Sequence, residues 1–431
     1  MINQEIPDKP PDAIAFVTVD RVSSLGDISE HVWNEVADPR DLFQSRAWLC
    51  ALERYGDAPV TYLIARRAGD SRILGALPLY DSPPSRGDYL TWPELHFRDL
   101  LATAPRGGRL GLLAGSCAGF GTRLILDRTL PGPARTAVLR ALRDAAGVVA
   151  AERGHPYTFF LFLDAAAWRE LAQVTGDGDH HRLAGVARTE VELPGAGFAD
   201  YLATLPRNTR TSVRREAGLF ARECATELLP LREAIPAVAP MIVNVRARHG
   251  MAYSVEVVAR RLSAYAGALG EDSTALLCRA GGRVVGAGVM CRWHDRLHVT
   301  DFGRLDDGAP DPFVYFNAAI YEPIRHAYAA GLSRVVTGAG AELGKARRGA
   351  AVLPLVHLAW SATDGPDRPP GDQPVSDRPL GDLQVGDRPR GDRPGGERPV
   401  GGTPAEDRKT YWRRLRSAHP TYFPPVWDEL L

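Results

Sequence analysis

Residues Thr61–Tyr80 read TYLIARRAGDSRILGALPLY, and residues Ala275–Trp293 read ALLCRAGGRVVGAGVMCRW. Each begins with an apolar run, reaches Arg-Ala-Gly, turns, continues through an Arg, two apolar residues and Gly-Ala, and ends in a second apolar run. Apolar runs of this length around a short Gly-containing turn predict a β-hairpin. The same hairpin appearing twice, about 210 residues apart, predicts two similar domains in tandem.

The elements that follow agree between the halves. Arg296–Arg304 (RLHVTDFGR) is predicted to be a third strand. A helical run then starts at Phe313, with Phe316, Ile320 and Ile324 near the same face, Pro323 as a point of kinking and Gly331 as its stop. Ser333–Thr337 is the next strand. In the first half, Pro133–Gly154 is a predicted helix and Tyr157–Asp164 a buried-type strand. Strands, then a helix, then a further strand describe an α/β domain. The expected fold is a tandem pair, each with a mixed, mostly antiparallel central sheet flanked by helices.

The expected boundaries are a first domain over 15–195 and a second over 196–362, with the chemistry in the second or at the interface. Residues 1–14 are polar and Pro-rich, and 363–408 repeat an imperfect Gly-Asp-Arg-Pro unit. The second stretch has almost no large apolar side chains to offset ordering entropy, and both stretches are expected to be disordered. The tail, 409–431, carries Tyr411, Trp412, Tyr422, Phe423 and Trp427 and is expected to dock on the body.

Among the 431 residues, 45% are hydrophobic and 24% charged, and the formal net charge is zero. No global field therefore draws the chain to DNA or to a membrane, and any basic site must be local. The five cysteines are widely spaced with no C-x-x-C, which argues against a disulfide framework or zinc cluster and fits a reducing cytoplasm. No secretion signal or membrane span is expected. His180-His181 lacks a third ligand at helical or hairpin spacing, so no metal is expected. The three lysines, Lys9, Lys345 and Lys409, stand out against an otherwise arginine-based positive charge.

Between the halves, Val213, Ala217, Phe220 and Cys224 form an apolar helical stripe. Arg207, Arg210 and Arg214 share another face, the strongest basic cluster in the chain. The helix has no interleaved exposed aromatics for base stacking.

Four segments carry a resemblance to a known family: Phe43–Gly56 (FQSRAWLCALERYG), the first hairpin, the basic helix after Leu205-Pro206-Arg207, and Gly338–Gly349 (GAGAELGKARRG) followed by His357 and Trp360. In this order they resemble the FemAB-like branch of the GNAT superfamily. The Pro-rich insertion is not a family feature, and the Glu342–Lys345 spacing departs by one residue. The resemblance implies tandem GNAT-like domains and acyl transfer to an amine. FemAB-type relatives take an aminoacyl group from aminoacyl-tRNA, whereas other GNAT enzymes use acyl-CoA. The usual CoA turn, Arg/Gln-x-x-Gly-x-Gly/Ala, is missing. Arg304-Leu-Asp-Asp-Gly308-Ala309 is out of register and acidic, and Gly115-Ser-Cys-Ala-Gly119-Phe-Gly121 lacks the basic lead residue. Aminoacyl-tRNA is accordingly the expected co-substrate and a small-molecule amine the expected acceptor, with no bound cofactor. Acyl-CoA is the alternative donor, and a non-catalytic binding protein on the same fold a further alternative.

Aminolysis of an ester or thioester passes through an oxyanion, needs a proton acceptor, and needs cations for the donor's phosphates. Lys345 is the first candidate cation, with Glu342 to orient it or act as base. Asp301 interrupts an apolar strand, so its charge needs a partner or an open cleft. Tyr315 stands where the helix after that strand begins. Arg207, Arg210, Arg214, Arg347 and Arg348 are candidate phosphate contacts. His298 alternates with apolar neighbours and reads as a core or edge histidine.

Overall fold

The computed structural model describes residues 17–55, 59–81, 93–97, 100, 111–175, 180–249, 251, 253–305, 313–361, 405–418, 423 and 427. The segments read as disordered lie outside these residues, except where the helix Ala405–Ala418 begins within 363–408.

Among the described residues, thirteen strands form one sheet. In chain order they are β1 Val17–Val22, β2 Val60–Arg67, β3 Ile73–Asp81, β4 Gly111–Ala114, β5 Ile125–Leu126, β6 Tyr157–Leu163 and β7 His180–Glu192. The second half supplies β8 Ala225–Pro230, β9 Ser273–Ala280, β10 Arg283–Trp293, β11 Arg296–Arg304, β12 Arg334–Gly338 and β13 Ala351–Ser361. Their order across the sheet is β1-β2-β3-β4-β6-β13-β7-β12-β11-β10-β9-β8, with β5 on β3.

Both hairpins form as the sequence predicts. The second turns on Gly281 and Gly282, whose φ values of 56° and 78° suit a two-residue turn that matches strand twist. The rest of the repeat is equally visible. β1, β2, β3, β4 and β6 stand in the order of β8, β9, β10, β11 and β12, and in each half the fourth and fifth of these pair in parallel. Every other ladder among the named strands is antiparallel.

The halves exchange their last strands. β7, the end of the first half, pairs with β12 of the second, and β13, the end of the second, pairs with β6 of the first. β7 and β13 also pair with each other from Ala351↔Glu190 to Trp360↔His180. A sequence cut near residue 195 therefore separates chain segments that share one hydrogen-bonded sheet.

The apolar cores follow the same logic. Helices Leu231–Arg248 and Val255–Leu269 cover one face of the second half and meet helix Arg46–Tyr55 of the first, in a core that includes Trp48, Ile64, Leu262 and Val289. Trp48 stacks on Tyr265 across this junction at 4.4 Å. The opposite face is covered by Val314–Phe316, Asn317–Tyr321 and Glu322–Ala329 in series. The middle piece is a π-turn, which re-spaces the carbonyls just ahead of Pro323, where a regular helix would lose an N–H bond. Trp412, Leu415, Phe423 and Trp427 pack with Ala187, Ala346 and Val352, and the Trp427 indole N–H donates to the Val352 carbonyl at 2.9 Å.

Candidate active site where two parallel strands part

β11 and β12 pair over only three positions, ending at His298↔Val336. Beyond that point the strands separate, while β12 stays attached to β7 as far as Gly338. A cleft of about 40 Å³ opens at the parting. Its second-half walls are Arg246, Arg261, Tyr265, His298–Asp301, Val336 and Gly338, and its first-half walls are Phe43, Trp48, Gly119 and Phe120. The glycine-rich turn Gly115–Gly121 thus contributes a wall to the other half's cleft. Gly119 has φ 86°, and a side chain there would collide with the Phe43 ring.

The equivalent point of the first half is closed. β4 and β6 also pair in parallel, but the chain then folds back so that the Thr122 N–H donates to the Phe162 carbonyl at 2.7 Å.

A β-bulge sets the chemistry of the cleft. β10 pairs Val289 with Asp301 and Met290 with Val299, which leaves Thr300 as an extra residue. An extra residue reverses the alternation of faces beyond it. His298 and Asp301, on opposite faces in a regular strand, are thereby turned to the same side. Gly303 faces this side too: a Cβ there would lie 2.8 Å from the Met241 Cβ and 2.9 Å from the Ile242 amide nitrogen. That close approach seats the Leu231–Arg248 helix against β11.

Asp301 has both the partner and the cleft that its sequence context calls for. Arg261 donates to its carboxylate at 2.6 Å and Arg246 at 3.2 Å. Such a buried pair adds little net stability, because desolvation offsets the attraction. His298 is only 6% exposed, and neither ring nitrogen has a hydrogen-bond partner. Burial first, then the Arg188 and Arg296 charges, push its pKa down to about 3. Its ring meets the edge of Phe43 at 5.6 Å between centroids.

Lys345 and Glu342 sit beside the cleft rather than on its wall. The Lys345 ammonium is fully buried and donates to the carbonyls of Thr337 at 2.6 Å, Ala339 at 3.2 Å and Gly338 at 3.5 Å. Burial pushes its pKa down to about 8, against the opposing pull of Glu342. It ties down the end of β12, whose Gly338 lines the cleft. Glu342 accepts from the Gly340 N–H at 2.7 Å, in a turn where Ala341 holds φ at 52°.

The remaining candidates are dispersed. Tyr315 packs edge-on to Phe302 and Phe316 on the opposite face of the sheet. Arg207, Arg214 and Arg347 are exposed. Arg210 donates to the Ala203 and Leu205 carbonyls and so caps the preceding helix, Phe198–Thr204. Arg348 is engaged internally: it binds Glu216 at 2.8 Å and the Tyr321 hydroxyl at 2.6 Å, and lies 3.3 Å over the Phe316 ring. Arg246, Arg261 and His298 line the cleft but were not singled out as site residues from the sequence. The two arginines sit on separate helices with no local motif, and His298 looks structural until the bulge is known.

The FemAB-like family profile, described as peptidoglycan biosynthesis/recognition, matches residues 24–365, most of the chain. The chain belongs to the FemAB-like family. The fold agrees with this. A crystal structure of FemX superposes with a TM-score of 0.51 at 10% identity, covering 79% of this chain and 96% of that one. A conserved protein of unknown function from Bacteroides thetaiotaomicron gives 0.50 at 12% identity, covering 80% and 100%. A tandem GNAT protein from the clavulanic acid biosynthesis pathway gives 0.49 at 13%, covering 82% and 100%. No curated protein sequence matches the chain. Membership of the family makes this FemAB-like protein one of the acyltransferase type. No described helix is long and apolar enough to cross a membrane.

Proposed function

We propose that this FemAB-like protein is an N-acyltransferase that moves an aminoacyl group from aminoacyl-tRNA to the amine of a small metabolite or peptide-like precursor. The observation that carries the reading is the cleft at the β11–β12 parting. It brings an uncharged imidazole, an arginine-held carboxylate and an aromatic wall into one small space between the two halves. Its volume, about 40 Å³, corresponds to roughly three water-sized occupants, so it holds the reacting atoms and leaves the bodies of both substrates outside. The aromatic rings favour an approaching ammonium through their negative faces. The family description, with its reference to peptidoglycan, supports a peptide-like acceptor.

Exposed Arg207, Arg214 and Arg347 supply cations for a polyanionic donor. In this reading Lys345 fixes the end of β12 while Asp301 and its two arginines orient the acceptor. The test is incubation of the full chain with a pool of charged tRNA and candidate primary amines. Loss of the aminoacyl ester that depends on the amine and weakens steeply with added salt supports the reading. Turnover with acyl-CoA and none with any charged tRNA would replace it with CoA-dependent N-acyl transfer.

A further inference from the structure

The acyl-transfer reading leaves open which group receives the proton of the attacking amine. Resting on that reading, we propose that His298 is the catalytic base: it contacts the acceptor amine in the cleft, takes its proton and returns it to the leaving oxygen.

Three observations converge on this residue. Buried polar atoms are hydrogen-bonded in the great majority of cases, yet both nitrogens of this 6%-exposed ring lack a partner. The bulge at Thr300 turns the ring to the side of the cleft that holds Asp301. The Phe43 edge contact restricts its orientation. The other titratable candidates are committed elsewhere. Lys345 directs its ammonium to three carbonyls, and Asp301 accepts from two guanidinium groups.

The charges around His298 define how it works. Arg296 lies on its own strand and Arg188 on β7. Arg246 and Arg261 come from the two covering helices, bound to Asp301 on β11. This setting keeps the imidazole uncharged at neutral pH, with a nitrogen lone pair to offer. It also means that the imidazolium needs a counter-charge, which the tetrahedral oxyanion provides as it forms in the same cleft. In the forward step the acceptor, having released its ammonium proton to solvent, attacks the ester carbonyl carbon through the free amine nitrogen, the C–N bond forms, and a remaining amine proton passes to His298. Collapse of the intermediate breaks the ester C–O bond, and the proton moves to the departing ribose oxygen. The products are an amide and uncharged tRNA, with no net change at His298.

The test uses the full-length protein and two readouts. In the transfer assay, His298→Gln keeps a polar side chain but cannot carry the proton. The expected result is a kcat lower by about 100-fold or more with KM changed by less than about threefold. Added imidazole is expected to restore part of the rate of His298→Ala. A His298→Gln enzyme that remains folded by circular dichroism and retains kcat within about threefold overturns the proposal. The second readout does not depend on turnover. In the ¹⁵N-histidine-labelled protein, the His298 ring resonances, identified by their loss in His298→Gln, are expected to move when ethylamine is added. Absence of that movement overturns the amine contact even if transfer is observed. Movement without transfer from charged tRNA instead retains the amine contact and rejects the donor.

Discussion

At the residue scale, two charged side chains picked out from the sequence have different surroundings. Asp301 is an ion-paired wall of the cleft, whereas Lys345 is a buried tie between a short helix and the end of β12. The burial of Lys345 has a measurable signature. The folded protein gives up this proton near pH 8, while the unfolded chain holds it until about pH 10.4. Across that window the unfolded state binds more protons, so Lys345 makes folding stability rise with pH. In Lys345→Met this contribution is absent. Urea midpoints of both proteins, measured between about pH 7.5 and 10.5, are expected to shift relative to one another in favour of the wild type as pH rises. Parallel profiles would show that burial does not lower the Lys345 pKa. Lys345 was legible in the sequence as an unusual lysine, but its three carbonyl partners were not, because they depend on how β12 ends.

At the element scale, the decisive feature is an irregularity in one strand. Arg296–Arg304 was readable as a strand from its composition, with the same bounds that β11 has. The extra residue at Thr300 was not readable, because a bulge is specified by pairing with β10 and leaves no local sequence mark. Alternation alone puts His298 and Asp301 on opposite faces, and His298 looked structural because it alternates with apolar neighbours. The close seat of the Leu231–Arg248 helix against Gly303 is the companion feature. Gly303→Ala is expected to force this helix outward. It should destabilise the fold by about 1–3 kcal/mol in urea titrations and, by moving Arg246 from Asp301, lower acyl transfer by up to about 100-fold. Retention of full activity and stability would mean that the helix position does not organise the cleft.

At the scale of the whole molecule, the duplication is real but the halves are not independent. β7 is bonded on one side to β12 and on the other to β13, so neither half can complete its sheet alone. Expressed separately, residues 1–195 and 196–431 would each expose unpaired strand edges. Each is expected to aggregate or lack a cooperative unfolding transition, and co-expression is expected to recover a folded complex. Two separately folded, monomeric halves would contradict the exchange. The cleft obeys the same constraint, since Phe43, Trp48, Gly119 and Phe120 reach it from the first half.

The sequence by itself determined the duplicated hairpins, the strands and helices read after each of them, and membership in a family of acyl-transfer proteins. Those features rest on apolar periodicity, turn residues and short motifs, all of which act over a few neighbouring positions. Only the tertiary structure decided that the last strands are exchanged, that one parallel pair parts while its counterpart closes, and that a bulge turns His298 to the same side as Asp301. Each of these depends on hydrogen-bond pairing between segments far apart in the chain, where the same local pattern is compatible with more than one partner and register.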